Sequence, residues 1–138
     1  MRGSCNCGAV VFEITGKIGP VGQCHCSKCR KASGTDGNAV FYTAKRSLAF
    51  LQGEEKVHRY SDGGGWGHTF CHQCGSPTPH LGSDDKIYFV PAGLMDDDIG
   101  STGYAAHIFV GSKADWVKIC DDAPQYVEGF GSDPVKSD

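Results

Sequence analysis

The chemistry in this chain is carried by sulfur. Cys24-His25-Cys26-Ser27-Lys28-Cys29 places three thiols within six residues, as C-x-C-x-x-C. Cys5 and Cys7 form a C-x-C pair, and Cys71 and Cys74 a C-x-x-C pair. Seven of the eight cysteines therefore fall in tight clusters, and only Cys120 stands alone. Four thiolates from the flanking pairs fill a tetrahedral zinc and close it to chemistry, so Cys5, Cys7, Cys71 and Cys74 read as a structural site. Cys24, Cys26 and Cys29 supply only three, which leaves one coordination position for water or substrate and reads as a catalytic site. The expectation is two zincs per chain with different jobs.

Such sites need bent backbone. Two thiolates on one tetrahedral zinc lie roughly 3.7 Å apart, given Zn–S bonds of about 2.3 Å. Residues two apart on an extended strand are separated by roughly 6.5–7 Å. Asn6 tolerates turns and Gly8 follows Cys7, so the chain can bend there, and Gly75 follows Cys74 in the same way. The elements around these knuckles read as short strands: residues 8–15, 39–43, 48–52, 54–60, 87–91 and 106–110, rich in β-branched and aromatic side chains. Residues 16–22, with Pro20, form a turn into the central cluster. A short helical turn over residues 30–33 follows it, stopped by Gly34. Residues 66–70 lead into the Cys71 knuckle, and Pro77 and Pro79 forbid a long helix after it. Residues 116–120 are short and apolar. The fold class expected is mainly β, with hairpins carrying metal knuckles that replace part of a core.

Composition narrows the function. A chain of 138 residues fits one domain, expected at residues 1–128, with a tail at 129–138 that lacks core residues and frays. A formal charge of −3 argues against a nucleic-acid partner. No apolar run reaches the roughly 18–20 residues of a membrane span. Met1-Arg2-Gly3-Ser4 runs straight into a cysteine without an apolar leader, so the expected compartment is the cytoplasm. Thiols stay reduced there, and clustered cysteines serve as metal ligands more often than as disulfides. The competing reading, a secreted four-disulfide domain, fits poorly with C-x-C pairs too close to bridge each other easily.

Read in order, Ser4-Cys5-Asn6-Cys7-Gly8, Cys24-His25-Cys26-Ser27-Lys28-Cys29-Arg30-Lys31, Phe70-Cys71-His72-Gln73-Cys74-Gly75-Ser76 and His107-Ile108-Phe109-Val110-Gly111-Ser112-Lys113-Ala114-Asp115-Trp116 resemble one family. It is the glutathione-dependent formaldehyde-activating (GFA) family, which includes the centromere-protein-V-like (CENP-V) domains. The closing stretch Asp121-Asp122-Ala123-Pro124-Gln125-Tyr126 also matches, with Ala123 where a larger apolar residue is usual. The resemblance implies an Mss4-like fold of short antiparallel sheets. It implies a structural zinc on Cys5, Cys7, Cys71 and Cys74 and a second zinc on Cys24, Cys26 and Cys29. The activity implied is addition of glutathione to formaldehyde, formally a carbon–sulfur lyase reaction in reverse. The thiolate partition agrees with it. Two positive charges against three thiolates leave a net negative site, a weak Lewis acid toward water that still takes a fourth sulfur and holds it deprotonated. The nucleophile is then the substrate's own thiolate.

The expected partners are a small thiol, glutathione or a relative, and a small carbonyl, with neither nucleic acid nor membrane. The competing class is a non-catalytic zinc-stabilised binding module. For the flanking pairs the alternative is a redox dithiol. For the central trio it is a purely structural site completed by His25, His68 or another ligand. His25, between two ligands, reads as pointing away from the metal, and His72 as facing solvent. His107 reads as a satisfied, half-buried histidine, Cys120 as a buried apolar thiol and Trp116 as core. Arg30 and Lys113 could meet glutathione's carboxylates but read first as solvated charges. Gly63-Gly64-Gly65 lacks the Lys-Ser/Thr and helix context of a phosphate loop.

Overall fold

A computed structural model describes residues 1–136 and is mainly β. The strands among the described residues are β1 (Arg2–Ser4), β2 (Val11–Ile14), β3 (Gly22–Cys24), β4 (Asn38–Ala44), β5 (Leu48–Gln52), β6 (Val57–Ser61), β7 (Gly67–Cys71), β8 (His80–Leu81), β9 (Ile87–Pro91) and β10 (Ala106–Ile108). One α-helix, α1 (Ser27–Ser33), joins them, with short 3-10 turns at Lys45–Ser47, Glu54–Lys56, Ala92–Leu94 and Val110–Ser112. The chain forms two compact units, Met1–Gly19 with Phe41–Gly100, and Pro20–Val40 with Ser101–Asp138.

In the first unit, β1, β2 and β5 form an antiparallel sheet in that order. Alternation along β2 turns Phe12 and Ile14 inward, each 1% exposed, while Val11 and Glu13 face the rim. Phe12 sits opposite Phe50, and Phe50 meets Tyr88 edge-on at 6.2 Å. β6 and β7 pair as an antiparallel hairpin in register from Val57↔Cys71 to Ser61↔Gly67. Its turn is held by Asp62 Oδ1, which accepts from the Gly64 and Trp66 amides. β9 lies between β4 and β8.

In the second unit, β3 lies between β10 and the opening residues of β4. The β3–β4 pair is antiparallel, but β10 runs parallel to β3. Parallel neighbours need a long connection, and these two strands are far apart in sequence. Backbone bonds prolong the pairing beyond both strand ends, from Ala105 N–H to Val21 O and from His25 N–H to Ile108 O. Near the end of the chain, Val127 N–H donates to Asp133 O and Val135 N–H to Gln125 O, both at 2.9 Å. Positions 137–138 of the expected tail lie outside the described residues.

Several expectations shift. The strand expected over residues 8–15 shrinks to Val11–Ile14, because the preceding residues are spent on the Cys5–Cys7 turn. The one expected over 54–60 begins with a 3-10 turn. The strand expected over 106–110 stops at Ile108, because Phe109 adopts φ 54° and opens a 3-10 turn. Trp116, expected in the core, is 73% exposed, and Cys120 is exposed rather than buried. Residues 116–120 form no strand that would turn either side chain inward.

Candidate metal centres

The first centre is built from two turns. Cys5 follows β1, its amide donates to Val10 O, and Gly8 N–H closes the turn on Cys5 O at 3.0 Å. Cys71 ends β7, and Gly75 N–H closes its turn on Cys71 O at 2.7 Å. Gly8 and Gly75 sit at φ 75° and 77°, the left-handed region that glycine enters without penalty. The four sulfurs of Cys5, Cys7, Cys71 and Cys74 all lie within 4.8 Å of one another. Cys5 and Cys7 are 3.6 Å apart and Cys7 and Cys71 4.0 Å, close to the roughly 3.7 Å that tetrahedral zinc demands.

The same sulfurs belong to the hydrophobic core. Cys5, Val10 and Cys71 pack as one buried cluster, flanked by Ala9, Phe50, Val57 and Cys74. Donors are aimed at sulfur: Val10 N–H reaches Cys5 Sγ at 3.2 Å and Gln73 Nε2 reaches Cys7 Sγ at 3.6 Å. The Ser76 hydroxyl, 3.2 Å from Cys74 Sγ, draws that thiol down to about 5. The Ala9 amide lowers the Cys7 thiol, but burial and the Cys5, Cys74 and Cys71 thiols outweigh it and push Cys7 up to about 11, so metal binding there must displace a proton.

The second centre uses a strand-to-helix junction. Cys24 ends β3, Cys26 caps α1, and Cys29 lies in its first turn. Cys26 Sγ accepts from Cys29 N–H at 3.3 Å, so sulfur does what a Ser or Asp oxygen does at an ordinary helix start. This is why the helix begins three residues earlier than the sequence suggested. Gly34 ends it at φ 70°, its amide on Arg30 O. The junction supplies the bend that C-x-C requires. Donor atoms of Cys24, Cys26 and Cys29 lie within 4.8 Å of one another, and among the described residues no fourth His, Cys, Asp or Glu joins them. The Cys24 thiol is drawn down to about 6, first because the Cys29 thiol donates to it, and Cys29 is correspondingly pushed up. Both donor sets fit a thiophilic cation such as zinc, which would displace the remaining protons on binding.

His25 is not part of the sulfur cluster; it is 1% exposed and turned into protein. Its Nε2 lies 2.8 Å from His107 Nδ1, and His107 Nε2 lies 3.0 Å from both Asp121 oxygens. Burial, then His107, holds His25 below the ordinary imidazole value. Asp121 is held low by the Ala123 amide first and then by His107. His107 is thus satisfied as expected, but fully buried at 3% exposure. Asp121 stands in the closing stretch that resembles the family, but nothing in the sequence pairs it with His107, so its place in this chain of bonds was missed. His72 faces solvent as expected. Lys113 and Arg30 are not free surface charges: Lys113 Nζ donates to Val117 O at 2.6 Å, and Arg30 Nη2 to Ser112 O at 3.3 Å.

A family model described as "Glutathione-dependent formaldehyde-activating enzyme" matches residues 1–112. The chain belongs to that family. A Halomonas elongata protein named "Putative glutathione-dependent formaldehyde-activating enzyme" is 31% identical over 127 residues, covering 86% of this chain and 80% of that protein. A crystal structure of a Rhodobacter sphaeroides protein is also similar, with a TM-score of 0.59 and 26% identity, over 71% of this chain and 90% of that one. Membership in the GFA family agrees with the cysteine grouping and the mainly β fold. No helix among the described residues is long and apolar enough to cross a membrane.

Proposed function

We propose that the chain is a zinc-dependent carbon–sulfur lyase-type enzyme of the cytoplasm that joins glutathione, or a related thiol, to formaldehyde or another small carbonyl. The observation that carries this reading is the unequal grouping of thiols, four in one cluster and three in the other. Cys5, Cys7, Cys71 and Cys74 would hold a structural zinc within the zinc domain at residues 1–128. Cys24, Cys26 and Cys29 would hold the catalytic one. When bound there, zinc would supply a Lewis acid able to accept a sulfur donor from outside the chain.

The reaction needs no redox partner. The substrate sulfur gains a bond to the carbonyl carbon, the carbon–oxygen π bond opens, and the thiol's proton ends on that oxygen. No side chain becomes covalently attached. This chain's residues contribute by binding and orientation: α1 and β3 fix three thiolates in one place, and the Cys29 amide points at Cys26 sulfur.

Exchange NMR that follows hydroxymethyl-thiol formation with and without protein tests the reading, because the uncatalysed addition is itself easy. Acceleration of glutathione addition that disappears in Cys26→Ser supports it. No acceleration across a panel of thiols and aldehydes would leave a non-catalytic zinc-stabilised module instead.

A further inference from the structure

Side chains alternate along β3, so Gly22 and Cys24 project from one face of the second unit's sheet and Gln23 from the other. Register extends the Cys24 face. Asn38 pairs with Cys24 and Val40 with Gly22 on one side, and Ile108 with Cys24 and Ala106 with Gly22 on the other. Gln125 bridges to His107 and shares the opposite face, which turns Tyr126 toward the Cys24 side. Apart from Cys24 itself, no side chain in this set carries a charge.

The end of the chain adds a ring to that face. Tyr126 and Pro134 pair antiparallel, and the chain between them turns back on itself: Val127 N–H donates to Asp133 O at 2.9 Å, Ser132 N–H to Gly129 O at 3.1 Å, and Gly131 sits at φ 82°. Phe130 stands at the tip of this hairpin, beyond the family match, which ends at residue 112. Its Cζ lies 3.4 Å from the point a Cβ on Gly22 would occupy, and its ring centroid lies 6.3 Å from that of Tyr126. Positions 22 and 24 are roughly 6.5–7 Å apart along the strand, so the ring edge comes within about 10 Å of the Cys24 Cβ. Phe130 thus rests one edge on β3 and is still 68% exposed. Water covers a large apolar area beside three thiols, and an apolar group that takes its place gains free energy. The cations that could have met glutathione's carboxylates are engaged with backbone, Arg30 Nη2 on Ser112 O and Lys113 Nζ on Val117 O.

We propose that Phe130 and Tyr126 are specificity-determining residues, an apolar wall that selects a small thiol carrying an aromatic ring over glutathione. This rests on reading Cys24, Cys26 and Cys29 as the site that receives the substrate sulfur. The bond-making step is the one already given; the wall acts on the carbon skeleton of the thiol. Apolar contacts of this kind discriminate between substrates by about 10–200-fold.

The test compares benzyl mercaptan with glutathione in zinc-loaded wild type, Phe130→Ala and Phe130→Leu. Exchange NMR with formaldehyde should give a ratio of kcat/KM, benzyl mercaptan over glutathione, at least about 10-fold higher in the wild type than in Phe130→Ala, with Phe130→Leu between them. A ring that merely held the hairpin would lower both thiols together and leave the ratio alone. Phe130→Leu keeps an apolar contact with Gly22, so it decides the ratio should the hairpin open in Phe130→Ala. A second readout needs no turnover. Benzyl alcohol, which keeps the ring and lacks the sulfur, should shift the Ala106 and Ile108 methyl resonances of the wild type and leave those of Phe130→Ala in place. An unchanged ratio, or wild-type methyl resonances that do not move, overturns the proposal. No acceleration with either thiol would sink the lyase reading, and the benzyl alcohol shifts then decide the wall alone: it stands if they depend on Phe130 and falls if they do not.

Discussion

At the scale of single residues, the clustered cysteines are tied into the elements around them. Cys26 does two things at once: it contributes a thiol to the trio and caps α1. Serine keeps the second role, since its hydroxyl caps helices well, and loses the first. Cys26→Ser is therefore expected to keep the wild-type circular dichroism spectrum, to lose one zinc of two by elemental analysis, and to weaken metal binding at the trio by more than about 100-fold. Collapse of the fold in this variant would make the trio structural. Two histidines of the first unit add to the acid sensitivity of the fold. His68 and His80 are held low by burial, His80 also by Arg59, whose Nη1 donates to its Nδ1 at 3.2 Å. Their folded values lie below the ordinary value of about 6.5, so the unfolded chain takes up protons first as pH falls. The stability they contribute is complete above about pH 6.5 and drains away as pH falls toward the folded values. His68→Phe keeps the contacts to Trp66 and Phe70 and removes one of these titrations. The fall in urea midpoint from pH 7 to pH 5.5 should be smaller in this variant than in the wild type.

At the scale of elements, β5 and β9 were legible from sequence to the residue, since runs such as Ile87-Tyr88-Phe89-Val90-Pro91 are dense in strand formers. What escaped was set by partners. β1 (Arg-Gly-Ser) and β3 (Gly-Gln-Cys) contain almost no strand formers, yet each pairs along its full length with a neighbour. Three-residue strands carry too little pattern for a period to show. Glycines carry another part of the fold that composition alone blurs, because 20 of them look alike in sequence. Gly53, between β5 and the next turn, has φ 76°, and a Cβ there would run into the Ala9 carbonyl oxygen. Gly100 has φ 72° and open space around it. Gly100→Ala should cost only the left-handed penalty of about 1–2 kcal/mol. Gly53→Ala adds a backbone overlap and should cost clearly more than about 2 kcal/mol. Chemical denaturation of both variants checks the order; equal losses would remove the close approach at Ala9 from the account.

At the scale of the whole molecule, each compact unit carries one cysteine cluster, Cys5/Cys7/Cys71/Cys74 in the first and Cys24/Cys26/Cys29 in the second. That grouping was readable because short ligand spacings survive in sequence whatever the fold does between them. Asp121 was not, because its link to His107 spans 14 residues of irregular chain. The two clusters should not be lost alike. Cys7 and Cys71 are 64 positions apart, so a metal on the four-cysteine cluster closes a long loop and sits within the first unit's core. A structural zinc typically contributes about 10–16 kcal/mol, as much as a domain's whole stability of about 5–15 kcal/mol. The trio spans only six residues, already ordered by β3 and α1, and has one thiolate fewer. A chelator titrated into protein loaded with two equivalents of zinc should therefore release metal in two steps. The first equivalent should leave with the far-ultraviolet spectrum unchanged. The second should leave together with cooperative unfolding, and refolding should require only one equivalent of zinc. Simultaneous loss of both metals and the fold would mean that the trio holds the structure as firmly as the four, and no division of labour between them would remain.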